Sequence, residues 1–126
     1  MRVLVCGGRD FNDAGMMYRV LDHLHAEMHF TSLIHGGAQG ADFLAGTWAQ
    51  SREPLIHTVV FKADWKTLGR RAGPARNEEM LGKGRPDIIV AFPGGRGTEH
   101  MTKIALAAHE RVIEVFSDGT WAPRHS

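Results

Sequence analysis

Five short runs of mainly β-branched or aromatic residues recur along the chain: Val3 to Cys6, Leu33 to His35, His57 to Phe61, Ile88 to Phe92 and Val112 to Phe116. Most are continuous rather than alternating, which is the pattern of strands covered on both faces. Between them lie segments with helical spacing. These are Met17, Val20, Leu21 and Leu24; Phe43, Leu44 and Trp48; a shorter one around Met80 and Leu81; and Met101, Ile104, Ala105 and Ala108. The order βαβαβαβαβ leaves few topologies open. Right-handed crossovers predict an α/β, Rossmann-like three-layer sandwich: a five-stranded parallel sheet in the order 3-2-1-4-5 with helices on both faces. A length of 126 residues, 43% of them hydrophobic, suits one such domain over 1–126, with 117–126 as a short C-terminal tail.

In that topology every parallel strand ends on the same edge. GGRDF (7–11), GGAQGAD (36–42), KADW (62–65) and PGGRGT (93–98) then face one crevice, with the first and fourth loops flanking the switch point. PGGRGT looks like a phosphate cradle. Gly94, Gly95 and Gly97 can take positive φ and admit a ligand to the main chain after Pro93, and Thr98 stands where a helix begins and its first amides lack partners. The plain alternative is a close helix–sheet turn with Thr98 as N-cap. The crevice also collects Gly7, Gly8 and Arg9 from the first loop and Gly36, Gly37 and Gly40 from the second. Asp42 either interacts with a helix dipole or holds ribose hydroxyls. Arg9 and Asp10 face the ligand or lock their loop as a pair. His35 reads as a hydrogen-bonded strand-end histidine. Neither GxxxxGK[ST] nor a GxGxxG after the first strand is present, so no P-loop or ordinary dinucleotide fingerprint is predicted.

Residues 62–80 (KADWKTLGRRAGPARNEEM) lack clear apolar periodicity and read as a long basic loop, of the kind that serves as a lid. Arg71 and Arg76 are the candidates to close over an anion with their planar donor forks, while Lys66 and Arg70 read as solvated. Pro74 is placed to start a helix, setting Arg76 and Asn77 just inside its N-terminus. Trp65 either stacks on a base or anchors the loop.

Composition narrows the function classes. Lys and Arg number 15 against 14 Asp and Glu, a formal charge of +1, so no basic excess drives binding to nucleic acid. No apolar run reaches the ~18 residues of a membrane span, and the N-terminus is not a secretory signal, so a cytoplasmic location is expected. Cys6, the only cysteine, reads as a small buried residue. No metal site is implied by the spacing of histidines and acids, although a polyphosphate can carry Mg²⁺ without leaving a sequence trace. Met16, Met17 and Met28 leave room for an interface in a dimer or larger oligomer, though such spacing also suits a core.

Taken together, GGRDF, HGGAQGAD, KADW, GRRAGPARNEEM and VAFPGGRGT resemble the SLOG superfamily, in particular its small YspA-like (YpsA-related) members, over almost the whole chain. The resemblance implies a Rossmann-like fold that binds a nucleotide or nucleotide-derived, ribose-phosphate ligand. More distantly the chain is similar to the LOG phosphoribohydrolases, which cut the base–ribose bond of nucleoside monophosphates and carry PGGxGTxxE. PGGRGT matches, but Met101 holds the glutamate's position. Glu99, two residues earlier, projects about 200° away at ~100° per residue. Arg76 looks like the counterpart of that family's site arginine. No catalytic residue is assigned; Asp42, Glu99 and Arg76 are the candidates for an N-glycosidase, with Asp10 and Asp64 as further carboxylates. The second loop is also similar to one in the DNA-processing protein DprA, which implies single-stranded DNA binding as a third reading. Binding without cleavage is the leading expectation.

Overall fold

The structure is a computed structural model describing Met1–His125. Its centre is one six-stranded sheet in the order β3-β2-β1-β4-β5-β6. The strands are β1 Arg2–Cys6, β2 Ser32–His35, β3 His57–Val60, β4 Ile88–Ala91, β5 Arg111–Val115 and β6 Trp121–Arg124. The first five are parallel and follow the expected order. β6 departs from expectation: it pairs antiparallel with β5 and makes the sheet mixed rather than purely parallel.

The sixth strand arises from the segment read as a tail. Ser117-Asp118-Gly119-Thr120 turns the chain, with the Phe116 amide donating to the Thr120 carbonyl at 2.8 Å. Asp118 Oδ1 accepts from the Thr120 amide at 3.0 Å, and Gly119 sits at φ 85°, where a side chain is strained. Pro123 donates nothing to a ladder, so it is tolerated because β6 is an edge.

Five helices flank the sheet: α1 Ala14–Met28, α2 Ala41–Gln50, α3 Trp65–Leu68, α4 Ala72–Gly84 and α5 Arg96–Ala107, with a 3₁₀ turn at Gly69–Arg71 between α3 and α4. The continuous apolar runs are explained by the two faces. Val3 and Val5 of β1 pack with Met17, Leu21 and Trp48 on the α1–α2 side, while Leu4 and Cys6 pack with Met80 and Met101 on the α4–α5 side. Met16 and Met17 belong to the first core and Met28 packs against it, so these methionines do not form a free patch. The expected long loop over 62–80 is mostly helical. Helix α4 begins at Ala72, ahead of Pro74, which falls in its first turn and places Arg76 and Asn77 in the second. Among the described residues, no helix is long and apolar enough to cross a membrane.

Candidate functional site

The loops after β1, β2 and β4 meet over the switch point between β1 and β4. The Gly8 amide donates to the Pro93 carbonyl at 2.9 Å, and the Ala41 amide donates to the Gly8 carbonyl at 3.1 Å. Several glycines here are fixed by that close approach. A Cβ on Gly7 would stand 2.6 Å from the Ala41 Cβ; one on Gly94 would stand 2.6 Å from the Gly8 nitrogen; one on Gly40, at φ 73°, would strike the Gly8 and Arg9 carbonyl oxygens. A Cβ on Gly36 would meet the Arg76 guanidinium. Gly37 lies toward Val60 and Lys62 and does not reach the crevice.

Gly95 and Gly97 differ from these. A Cβ on either would meet nothing within 4 Å, so packing does not account for them. Neither they nor Gly94 adopt the positive φ expected from the sequence, so backbone handedness does not account for them either. Gly95 is the N-cap of α5, and no side chain caps that helix, leaving its first-turn amides toward open volume. Thr98 is inside the helix rather than its cap.

This volume is a cleft of about 830 Å³, within the range of small-molecule sites. Its walls carry four arginines, Arg9, Arg70, Arg76 and Arg96, against two aspartates, Asp10 and Asp42. The chain as a whole is only +1, so positive charge is concentrated here. Arg9 lies over the Trp65 ring, 5.2 Å from its centroid, and Trp65 is half exposed. Arg71 does not line the cleft: it is the exposed N-cap residue of α4, and its neighbour Arg70, read as solvated, takes its place. Arg96 and His100 also line the wall and were not singled out from sequence. Arg96 could have been found, because it stands inside PGGRGT.

Arg76 and Asp42 prove to be partly structural. Arg76 Nη1 donates to the Gly36 carbonyl at 2.6 Å and Nε donates to Asn77 Oδ1 at 3.1 Å, which commits two of five N–H groups and leaves three. Asp42 Oδ2 accepts from the amides of Gly36 and Ala38 at 3.1 and 3.2 Å, so this carboxylate first orders its own loop. Burial raises its pKa above the usual carboxylate value, opposed by the Ala38 amide and by the charges of His35 and Arg76. Asn77, 4% exposed, donates from Nδ2 to the Gly97 carbonyl at 3.2 Å and thereby ties α4 to the glycine loop.

The remaining carboxylates do not converge on the cleft. Glu99 faces away from it, paired with Arg124 of β6 at 2.6 Å, while Asp64 caps α3 through the Thr67 amide at 3.2 Å. Met101, in the position of the hallmark glutamate, is fully buried in the core. Cys6 lies at the cleft floor, where burial pushes its thiol far up and leaves it a poor nucleophile. His35 Nδ1 accepts from the Gly37 amide at 3.0 Å, burial lowers its pKa, and it does not reach the cleft. No cluster of three His, Cys, Asp or Glu able to hold a metal occurs among the described residues.

The sequence profile of the YspA, cpYpsA-related SLOG family matches residues 1–67, from β1 into α3. Gene 61 protein of Mycobacterium phage D29 is 38% identical over 118 residues, covering 89% of this chain and 94% of the phage protein. The chain belongs to the YspA, cpYpsA-related SLOG family. No solved structure matches it. Within this SLOG chain the matched segment holds the first two glycine loops and Trp65, whereas Arg70, Arg76 and PGGRGT follow it.

Proposed function

We propose that this protein binds a nucleotide or related ribose-phosphate ligand in the cleft at the C-terminal edge of the sheet. The observation that carries the reading is the pair Gly95 and Gly97. A helix position gains about 0.5–1 kcal/mol when Ala replaces Gly, and nothing in the protein obstructs a Cβ at Gly97. The chain forgoes that stability beside an uncapped helix N-terminus, where amides, the dipole and four arginines favour an anion. Phosphate rests on the α5 amides and is met by Arg76 and Arg96; Trp65 supplies a face for a base; Asp10 and Asp42 stand toward sugar hydroxyls. Mg²⁺ enters only as the counter-ion of a polyphosphate.

Membership in a SLOG family supports a nucleotide-derived ligand. Binding is favoured over N-glycosidic cleavage because Met101 is core and Glu99 is held by Arg124. It is favoured over single-stranded DNA because the arginines gather at one cleft of a chain whose net charge is only +1, with no basic excess to track a strand. A thermal-shift screen over AMP, ADP, ADP-ribose, cyclic nucleotides and phosphoribosyl compounds is the test, since a ligand of the native state raises the melting temperature. At least one member is expected to raise it, and Gly95→Asp to abolish the rise; a panel without effect removes the reading.

A further inference from the structure

A second cavity, of about 310 Å³, lies on the opposite side of the glycine loop, beneath the turn between β5 and β6. The two volumes share their wall: Pro93, Gly94, Gly95 and Thr98 line both. In the ridge between them the Gly94 and Gly95 backbone is exposed; a Cβ on Gly95 would meet nothing within 4 Å, whereas one on Gly94 would meet the Thr98 hydroxyl and the Gly8 nitrogen. At Gly95 a ligand can approach the ridge without displacing a side chain.

The two sides differ in charge. The main cleft sets four arginines against two aspartates, whereas the second cavity sets Glu99 and Glu114 against Arg124 alone. Arg124 is also spent: it donates from Nη2 to Glu99 Oε1 at 2.6 Å, and from Nη1 to Glu99 Oε2 at 3.0 Å and Thr102 Oγ1 at 3.1 Å. With Glu99 and Arg124 paired to each other, Glu114 leaves the pocket with a net negative charge that disfavours a phosphate, while its carboxylate accepts, and the Ser117 hydroxyl donates or accepts, hydrogen bonds with an uncharged polyol. Phe116, 44% exposed at the rim, offers an apolar face to a sugar ring or a base.

Resting on the proposed nucleotide site, we infer that the ligand is two-ended: a nucleoside in the main cleft, a pyrophosphate on the Gly94–Gly95 saddle, and a second ribose-like group in the pocket under the β5–β6 turn. The class is a nucleoside diphosphate esterified at its far end, as opposed to a free mono- or diphosphate.

ADP and ADP-ribose separate the two cases, because they differ by that terminal ribose and ADP-ribose carries less negative charge. Isothermal titration of the whole protein is expected to give at least tenfold tighter binding of ADP-ribose. Ser117→Trp fills the pocket from an exposed turn position, and Phe116→Ala removes the rim. Both are expected to bring the two affinities to within about twofold while leaving ADP unchanged. Equal affinities in the unmodified protein, or a preference that survives both substitutions, overturns the two-ended ligand while leaving the main cleft standing. Failure of both compounds to bind while another member of the thermal-shift panel binds overturns the two-ended ligand alone, and failure of the whole panel removes the cleft reading with it.

Discussion

At the scale of single residues, glycines of identical appearance in the sequence divide by what surrounds them. Gly40 combines φ 73° with carbonyl oxygens of Gly8 and Arg9 where its Cβ would be, so Gly40→Ala is expected to cost about 1–3 kcal/mol in chemical denaturation. Gly97→Ala meets no atom and relieves the helix of a flexible residue. It is expected to raise stability by up to about 1 kcal/mol while weakening the binding of any ligand that stabilises the unmodified protein. A stabilised variant with undiminished ligand response would mean that the space beside α5 is not used. Sequence alone could not make this division, because the glycine loops were recognisable but their neighbours, brought in from three strands, were not.

Among the elements, the parallel part of the sheet was legible because its buried strands are uninterrupted apolar runs that only a two-sided burial allows. Helix α4 was legible only in part, from Pro74 and from Met80 and Leu81, and its full extent over Ala72–Gly84 was not. Its buried residues are Ala72, Asn77, Met80 and Gly84, with one large apolar side chain among four, so it leaves no hydrophobic stripe. Strand β6 was hidden by Pro123 and by its exposure as an edge, although Asp118-Gly119 is a strong hairpin signal that could have revealed it. Missing α3 and the 3₁₀ turn ahead of α4 exchanged two neighbours: Arg71 was favoured from the sequence beside Arg76, whereas Arg70 and Arg76 line the cleft. Arg70→Ala is therefore expected to weaken ligand binding about fivefold, the equivalent of a net hydrogen bond of about 1 kcal/mol. Arg71→Ala is expected to leave it unchanged in the same titration.

For the molecule as a whole, the buried His35 and the half-buried His25 couple stability to pH. Burial lowers the pKa of both His25 and His35 below the ordinary 6.5. Above pH 6.5 both states hold these rings neutral and nothing is gained or lost. Below it the unfolded chain takes up protons that the folded chain refuses, so stability falls as pH falls toward the lowered values. Asp42 acts in the opposite sense at more acidic pH: its raised carboxyl binds a proton in the folded state first, which returns some stability between that raised value and 3.8. Thermal unfolding is expected to show a falling midpoint from pH 7 to 5.5. His35→Asn, which keeps an acceptor for the Gly37 amide, should flatten the slope; a slope unchanged by this substitution would assign the effect elsewhere.

The fold, the cleft and its charge all converge on the first turn of α5. Amide ¹H–¹⁵N shifts followed during titration with ADP report on that turn directly. Saturable shifts are expected to be largest at Arg96, Gly97 and Thr98, with smaller ones at Gly8 across the shared wall. Saturation of the protein with these amides unmoved, or no movement of any amide in the cleft, would contradict an anion held on the glycine loop.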